Sequence, residues 1–485
     1  MSLAAKDLPA GEELRSHNLK RVLGLRDLIP MQILIVIGPS WTGTAAHQSG
    51  TQITFWLLSA CLLFLPVAAV VQYCVRIWPL EGGVYQWTKH AFGPFAGFLS
   101  AWNLGAWVLL IVSSIGVQTA GGVSYALGAG AEWIADDTRV IVGLDLGLFG
   151  LMYLINVPGL RVGRWLAHLG TAASLMVVGM LGILLLFHPD ARVGHPHVSP
   201  QAPFSLQLPA LTLLSLNLFS KIAINGFTGL EQVAVFAGET RDPARAVLRS
   251  AWISAPLIAG MYIVMTGALL CYTAADQVDL VNPVAQAIAR AFDSGGDASG
   301  AIWGAVLARA TIVALTLAII AQNALFIAET SRLPMVAGWD HLMPAWFTRL
   351  HPRFRTPTRS LAVISIVGAL FSILASSSAG AGEAFQLLVT SGFICYGVNY
   401  LLMFAVPLLL GTRFSHQRDL RAPGWVRVAC VCGGAVTLLS MVFNLVPIVP
   451  VSDPQGFALK VAFSAVAINL IGAVLFWKGS RAPTR

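Results

Sequence analysis

Residues 33–46 of this chain read ILIVIGPSWTGTAA, an apolar run that glycine, proline and hydroxyl-bearing residues interrupt half-way. Residues 221–231 read KIAINGFTGLE and repeat the pattern, with two glycines around polar residues. Proline removes a helix hydrogen bond, and glycine adopts backbone conformations that other residues avoid. Both stretches therefore predict a helix that is broken part-way along its length.

The composition around these stretches indicates that much of the chain faces lipid. Of the 485 residues, 11% are charged and 56% are hydrophobic, and the mean hydropathy is +0.74. Soluble proteins carry about 25% charged residues, and single cores stop growing near roughly 250–300 residues. The surplus apolar surface argues against a soluble enzyme, a disordered chain and a secreted disulfide scaffold.

Apolar runs long enough to cross a bilayer occur throughout the chain. A transmembrane helix needs about 20 mostly apolar residues. The sequence predicts an all-α integral membrane protein with about 12 transmembrane helices. Their approximate bounds are 28–48, 52–76, 95–127, 139–157, 166–187, 211–236, 249–272, 302–330, 359–377, 384–411, 427–447 and 458–477.

The distribution of basic residues predicts the orientation of these helices. Only Arg139, Arg192, Arg290 and Lys460 fall in loops on the side away from the termini, and Lys221 and Arg309 fall within spans. The rest of the 30 Lys and Arg residues lie on the side of the termini. Positive loops mark the cytoplasmic side. We therefore expect both termini inside the plasma (cytoplasmic) membrane, and the net charge of +8 does not indicate a nucleic-acid partner.

The two predicted breaks lie five spans apart, so their helices cross the bilayer in opposite directions. An inverted repeat of five helices produces this arrangement, with the breaks meeting near the midplane. Free amides there suit an anion and free carbonyls suit a cation, so the pair suits a zwitterion. Glycines that only allow close helix packing are the alternative. The candidate substrate-binding residues are Gly38, Ser40, Trp41, Thr42, Gly43, Thr44, Asn225, Gly226, Phe227, Thr228 and Gly229.

Three polar motifs stand at the ends of predicted spans. Residues 227–243 read FTGLEQVAVFAGETRDP, residues 79–94 read PLEGGVYQWTKHAFGP, and residues 328–344 read AETSRLPMVAGWDHLMP before Thr356-Pro357. The first resembles a Gly-Phe-Glu element in helix six followed by Glu-x-x-x-Pro. In these motifs and their order, residues 25–410 resemble the amino acid–polyamine–organocation (APC) superfamily of permeases.

The resemblance implies a LeuT-like fold that works by alternating access on an amino acid or an amine. The tail 1–27 would precede a core at 28–411, built from inverted repeats at about 28–190 and 211–411. Helices 11 and 12 at 412–477 would be peripheral, and 478–485 would form a cytoplasmic tail. Many relatives place a lysine in helix five at a vacant sodium site, where this chain has Ser174.

Charged residues inside the predicted spans are candidates for coupling, because intramembrane charges are costly and commonly functional. Lys221 could attract a substrate carboxylate, replace a bound cation or extend to the outer surface. Glu231 could bind a proton, contact an amine or pack against a helix. Asp145 and Arg309 are expected to extend toward a membrane face.

Polar and aromatic residues complete the candidate coupling and gating set. Gln322 and Asn323 could line the cavity, support a cation or bond to a neighbouring helix. Trp107 and Tyr396 are candidate gate aromatics, with helix packing as the alternative. The set is Lys221, Glu231, Ser174, Trp107, Asn323 and Tyr396.

Taken together, these features predict a secondary active transporter for an amino acid. It would be a proton- or ion-coupled symporter, or an exchanger, with H⁺ or Na⁺ as the coupling ion. A polyamine or organocation permease of the same fold is the alternative, and a membrane enzyme or a channel is more remote. We expect the lipid bilayer as surroundings, no catalytic residues, no cofactor and no metal, since hydrolase, nucleotide and zinc motifs do not occur.

Overall fold

The computed structural model of the chain describes residues 19, 21–47, 49–128, 130–187, 204, 206–274, 277–293, 298–378, 381–413, 421–446 and 453–481. The regular structure within these ranges is helical. Most of the predicted tail 1–27, the end of the tail 478–485, and Arg192 lie outside the described residues.

Seventeen α-helices of six or more residues occur in the described part of the chain. The first eight are α1 (Leu25–Val36), α2 (Trp41–Ala46), α3 (Gln52–Ile77), α4 (Val84–Phe92), α5 (Pro94–Val112), α6 (Ile115–Leu127), α7 (Thr138–Asn156) and α8 (Leu160–Phe187). The others are α9 (Leu213–Gly226), α10 (Pro243–Tyr272), α11 (Pro283–Asp293), α12 (Ala298–Thr330), α13 (Arg332–Trp339), α14 (Thr358–Ser378), α15 (Ala381–Arg413), α16 (Gly424–Asn444) and α17 (Pro454–Ser480).

Nine helical stretches among the described residues are long and apolar enough to cross a membrane. Three predicted spans are not among the nine. The predicted span 359–377 corresponds to a shorter apolar stretch, Thr358–Leu374. The predicted spans 28–48 and 211–236 correspond to two interrupted helices, neither half of which reaches bilayer length. The apolar helices identify a multi-pass integral membrane protein, whereas the number of twelve spans stays a prediction.

Both interruptions lie where glycine, proline and polar residues occur in the sequence. The first separates α1 from α2 at residues 37–40, and Gly38-Pro39 lies at its centre. The second follows α9 at residues 227–231, before the 3₁₀ segment Gln232–Glu239. Gly229 has a φ of +110°, which L-residues rarely adopt. The local backbone preferences of these residues therefore explain where each helix stops.

The outer surface of the bundle is apolar. Leu186, Trp303 and Phe463 are each about three-quarters exposed, on α8, α12 and α17. Soluble monomers rarely expose large contiguous apolar surface. This surface is therefore the one that faces the hydrocarbon of the bilayer.

The residues just before α1 define one end of the bundle. The backbone amides of Val22 and Leu23 donate to the Glu239 carbonyl at 3.0 and 3.1 Å, and the Arg241 amide donates to the Leu23 carbonyl at 2.9 Å. We call this end the N-terminal face. The connection between α10 and α11 lies at the opposite face, where the Ser40 hydroxyl donates to the Val281 carbonyl at 3.0 Å.

Asp145 does not extend toward a membrane face as the sequence predicted. Its side chain is fully buried, and Oδ1 accepts a hydrogen bond of 2.8 Å from the Gly116 amide. That amide lies at the start of α6, just after the break at Ser113-Ser114 that separates α5 from α6. Asp145 therefore satisfies a backbone donor that the break leaves without a helical partner.

Replacing Asp145 with alanine is expected to lower the free energy of unfolding by about 1–3 kcal/mol, because the buried Gly116 amide loses its acceptor. Asp145→Asn keeps an acceptor oxygen and should recover most of the loss. Asp137→Ala is the matched control, since Asp137 accepts from the exposed Arg139 amide at 2.8 Å, which water can solvate. Thermal unfolding in detergent measures all three. Equal effects of the Asp145 and Asp137 alanine variants would contradict the interpretation.

Candidate functional site

The second helix break contacts the end of α1, directly before the first break, in the interior of the bundle. The Gln32 side-chain amide on α1 donates to the Gly229 carbonyl at 3.4 Å. A Cβ atom on Gly229 would lie 2.9 Å from Cγ2 of Ile35, so only glycine permits this approach without displacement. The breaks of the first and second interrupted helices therefore form one polar region between them.

Neutral side chains satisfy the polar backbone groups that the first break releases. Nε2 of Gln322 on α12 donates to the carbonyls of Ile35 at 3.1 Å and Ile37 at 2.8 Å. The Tyr262 hydroxyl on α10 donates to the Val36 carbonyl at 3.0 Å and accepts from the Gly38 amide at 2.7 Å. Non-helical backbone at membrane depth requires such partners. The unwound segment is thus held open by two residues from other helices.

A small cavity of about 50 Å³ lies between the two breaks. It has room for a few water molecules at most. α5, α6, α12 and α15 close its sides. The lining residues are Ile35, Val36, Gly38, Pro39, Ser40, Trp41, Trp107, Ile111, Ser114, Gln118, Asn225, Thr228, Gln322, Asn323, Phe326, Val389 and Phe393.

Three buried polar atoms of the lining residues lack a hydrogen-bond partner among the described residues. They are Oδ1 of Asn225, Oδ1 of Asn323 and Nε1 of Trp107. Buried polar groups are nearly always paired, so unpaired ones beside a cavity are suited to a ligand. Two acceptors and one donor match a molecule that carries both an ammonium and a carboxylate.

Some of the predicted substrate-binding residues line this cavity and others do not. Gly38, Ser40, Trp41, Asn225 and Thr228 are lining residues. The predicted residues Thr42, Gly43, Thr44, Gly226, Phe227 and Gly229 are not.

The amides of Thr42 and Gly43 are engaged within the break itself. They donate to the carbonyls of Pro39 and Ser40, each at 3.2 Å. A Cβ atom on Gly43 would meet Val278 and Leu280 of the α10–α11 connection rather than the cavity. The sequence predicts free amides at this break that suit an anion, but those of Thr42 and Gly43 are not free, because the turn after Gly38 closes on itself.

Gly226 and Phe227 serve packing beside the cavity. A Cβ atom on Gly226 would lie 2.5 Å from the Trp56 ring. The Phe227 ring packs against Trp56 at 5.8 Å and Phe64 at 5.6 Å between ring centroids. The second break thus presents Asn225 and Thr228 to the cavity and turns Phe227 toward α3.

The candidate coupling residues fall in different places. Trp107 and Asn323 line the cavity. Nζ of Lys221, by contrast, donates to the Val446 carbonyl at the end of α16, away from the lining. The Ser174 hydroxyl donates to the Gly170 carbonyl within α8 at 3.0 Å. Lys221 and Ser174 therefore contact neighbouring backbone, not the cavity.

Glu231 and Tyr396 form a buried hydrogen-bonded group just beyond the second break. The carboxylate of Glu231 accepts from the hydroxyls of Tyr396 and Tyr400 on α15, the latter at 2.8 Å. Nε2 of Gln232 donates to the Tyr396 hydroxyl at 3.2 Å. Glu231 is fully buried and is not a lining residue.

An ion cluster of Glu81, Glu239 and Arg332 lies at the N-terminal face, where the Glu239 carbonyl accepts from the Val22 and Leu23 amides. Nε and Nη2 of Arg332 each lie 2.6 Å from Oε1 of Glu239, and Nε lies 3.4 Å from Oε1 of Glu81. The Gly238 amide donates to Oε2 of Glu81 at 2.8 Å. Burial, reinforced by the charge of Glu239, raises the pKa of Glu81 well above its ordinary value of 4.5, although Arg332 opposes the shift.

Several residues of the site are not predicted from the sequence. Ser114, Gln118 and Phe393 line the cavity, and Tyr262 supports the first break. Glu329 is fully buried near Glu231 and was overlooked inside the motif at residues 328–344. Its signal was a carboxylate one turn before Arg332 at the end of a long apolar run.

Membrane-length helices around a small, partly polar cavity between two interrupted helices are typical of multi-pass membrane transport proteins. A family model for amino acid permeases matches residues 23–477. The chain therefore belongs to the amino acid permease family.

Individual relatives agree with this assignment over nearly their full lengths. The chain is 24% identical to an uncharacterised transporter of Legionella pneumophila, covering 95% of this chain and 96% of the relative. It is 25% identical to a branched-chain amino acid permease of Bacillus subtilis, covering 96% and 94%. It is 21% identical to a serine/threonine exchanger of the same organism, covering 84% and 87%. Family and relatives are transporters, not enzymes.

Proposed function

We propose that this chain is a secondary active transporter that moves a neutral amino acid across the plasma membrane by alternating access. In this proposal the helices form a LeuT-like fold, with inverted repeats at about 28–190 and 211–411 and peripheral helices at 412–477. Both termini, and hence the N-terminal face, lie in the cytoplasm. The polar cavity between the two breaks is the substrate site.

The observation that carries this proposal is the set of unpaired polar atoms beside the cavity. Oδ1 of Asn225 and Oδ1 of Asn323 suit the ammonium group, and Nε1 of Trp107 suits the carboxylate. Hydrogen bonds to charged groups are the strong ones, so an amino acid gains most from these atoms.

The same lining favours an amino acid over a polyamine. A polyamine carries several positive charges and needs carboxylates, but the described lining residues include neither aspartate nor glutamate. Glu231, the nearest candidate in the sequence, is held by two tyrosines outside the lining. The relatives named for branched-chain amino acids and for serine and threonine support an amino acid as the substrate.

The first break favours proton coupling or exchange over sodium coupling. Carbonyls of unwound membrane helices commonly coordinate Na⁺. Here the carbonyls of Ile35 and Ile37 already accept from Gln322, and that of Val36 accepts from Tyr262. A cation is therefore not required to satisfy them.

Counterflow in proteoliposomes tests the proposed function. Vesicles loaded with one unlabelled amino acid should accumulate the same labelled amino acid, for at least one neutral member of a panel of twenty. Removal of Na⁺ should leave the rate unchanged within about twofold, and putrescine should not compete. Counterflow of putrescine alone, or of no compound in the panel, would overturn the proposal.

A variant of Trp41 tests whether the substrate binds in this cavity. The indole lines the cavity and packs edge-on against Phe393 at 5.2 Å, which keeps the space small. Trp41→Ala should shift the ratio of phenylalanine to alanine uptake upward by about tenfold, because pocket size sets discrimination between apolar side chains. Trp165→Ala is the control, since that indole is 61% exposed on the outer surface. An unchanged ratio in Trp41→Ala would place the substrate elsewhere.

A further inference from the structure

A second polar group lies between the cavity and the N-terminal face. Phe326 of α12 lines the cavity, and Glu329 follows it by three residues, one turn further along the same helix face. Arg332 follows Glu329 by another three residues and belongs to the ion cluster. The first step is about 4.5 Å along the axis of α12, and the second crosses from the end of α12 into α13. Glu329 therefore stands part-way between the substrate site and the ion cluster.

Glu329 differs from the other buried carboxylates in its lack of partners. The side chain is fully buried, and neither Oε1 nor Oε2 has a hydrogen-bond partner among the described residues. Glu231, by contrast, accepts from two tyrosine hydroxyls. The side-chain carbonyl oxygen of Gln232, next to Glu231, is also buried without a partner in the described structure.

The balance of charge in this region requires bound protons. Four buried glutamates stand against one buried arginine, Arg332. They are Glu81, Glu231, Glu239 and Glu329. A buried carboxylate without a partner is so costly that the group takes up a proton instead. Glu231 accepts from two tyrosines, and Glu81 and Glu239 share Arg332. Glu329 has neither a donor nor a cation, so a proton resides there in addition to the one that burial favours on Glu81.

We propose that Glu329 is the proton-binding residue that couples transport to a proton gradient. Its carboxyl binds one proton while Arg332 is paired with Glu81 and Glu239. When Arg332 separates from Glu81 and Glu239, water reaches Glu329, the O–H bond breaks and the proton passes to that water. The carboxylate that remains is stabilised by Arg332, which its former partners have released. This inference rests on the proposed function, since it names the coupling ion of the same transporter.

The charged groups that act on Glu329 are Glu231, after α9, and Arg332 of α13. Tyr396 and Tyr400 of α15 bind Glu231, and Glu239 and Glu81 bind Arg332. Two other pairs of ionisable groups, Asp27–His168 and Lys89–Asp340, are joined at 3.3 and 2.7 Å. Glu329 alone among these carboxylates has no donor or cation within hydrogen-bond distance in the described structure.

Uptake and counterflow in the same proteoliposomes test this inference. Glu329→Gln keeps the shape of the protonated carboxyl and cannot release a proton. The ratio of pH-driven uptake to counterflow should fall at least tenfold, and substrate-dependent acidification of the lumen, followed with pyranine, should disappear. Glu132→Gln, an exposed glutamate beyond α6, is the control and should keep the wild-type ratio.

The outcomes separate this inference from the proposed function. Failure of wild-type counterflow refutes the proposed function. Wild-type counterflow without stimulation by a pH gradient, or a wild-type ratio in Glu329→Gln, refutes only the proton site. If Glu329→Gln does not fold, Glu329→Asp provides the readout: its pH–rate profile should be displaced by at least half a pH unit, and an unchanged profile refutes the assignment.

Discussion

Arg332→Ala is expected to lower the free energy of unfolding by about 3–5 kcal/mol, because it leaves two buried carboxylates without their cation. Arg332 is 3% exposed, and it joins Glu239 at 2.6 Å and Glu81 at 3.4 Å. Its guanidinium also lies over the Phe236 ring at 4.6 Å. Unfolding of the purified protein in a denaturing detergent measures the loss.

The loss in Arg332→Ala should depend on pH with a defined sign. Burial already raises the pKa of Glu81, and removal of Arg332 takes away the charge that opposes the shift. A carboxyl whose folded pKa is raised contributes stability below its unfolded pKa, near 4.5, and loses that contribution as pH rises through the folded pKa. The deficit of Arg332→Ala should therefore grow as the pH is raised above about 4.5.

A triple variant separates the charge of Arg332 from its packing. Adding Glu81→Gln and Glu239→Gln to Arg332→Ala removes the uncompensated charges. The triple variant should recover more than half of the free energy of unfolding that Arg332→Ala loses. Arg245→Ala is the control, since Arg245 and Asp242 form a largely exposed pair at 3.7 Å that is worth less than about 1 kcal/mol. A triple variant as unstable as Arg332→Ala, or an Arg332→Ala loss below 1 kcal/mol, would refute the electrostatic explanation.

Sequence alone predicts the positions of the helix breaks because their cause is local. Pro39 restricts the backbone at its own position, whatever packs around it. The glycines at 38, 226 and 229 likewise give the backbone freedom at their own positions. The cavity residues Ser40, Asn225 and Thr228 follow directly from these breaks. Membrane-length apolar runs are equally local, which is why composition identifies a multi-pass membrane protein.

Contacts between distant helices account for what the sequence could not show. In the sequence Asp145 is a charge near a membrane face, but in the fold α7 packs against the start of α6 and Asp145 binds the Gly116 amide. In the sequence Lys221 is a candidate cavity charge, but in the fold it binds the Val446 carbonyl just after α16. The amides of Thr42 and Gly43 are engaged because the turn after Gly38 is tight, which depends on side-chain packing at the break. The proposed role of Glu329 depends on its proximity to Glu231, which lies on another segment of the chain.

Gly229→Ala is expected to reduce the rate of amino acid uptake at least tenfold and to destabilise the protein. Gly229 has a φ of +110°, where a residue with a Cβ atom is strained by about 1–3 kcal/mol. The added Cβ would also lie 2.9 Å from Cγ2 of Ile35, and overpacking of this kind costs about 1–3 kcal/mol more. We expect relief of that contact to move the second break away from α1 and so to displace Asn225 and Thr228 from the cavity.

A control variant and a double variant separate these causes. Gly260→Ala is the control, because Gly260 lies in α10 with no other atom within 4 Å of an added Cβ, and it should keep wild-type uptake. Ile35→Ala combined with Gly229→Ala removes the contact but not the strained φ, so the double variant should be less impaired than the sum of the single variants predicts. Uptake rates and unfolding midpoints of the same preparations provide the measurements. Wild-type uptake in Gly229→Ala would show that the close approach of the two breaks is not needed for transport, and the substrate site proposed between them would then be wrong.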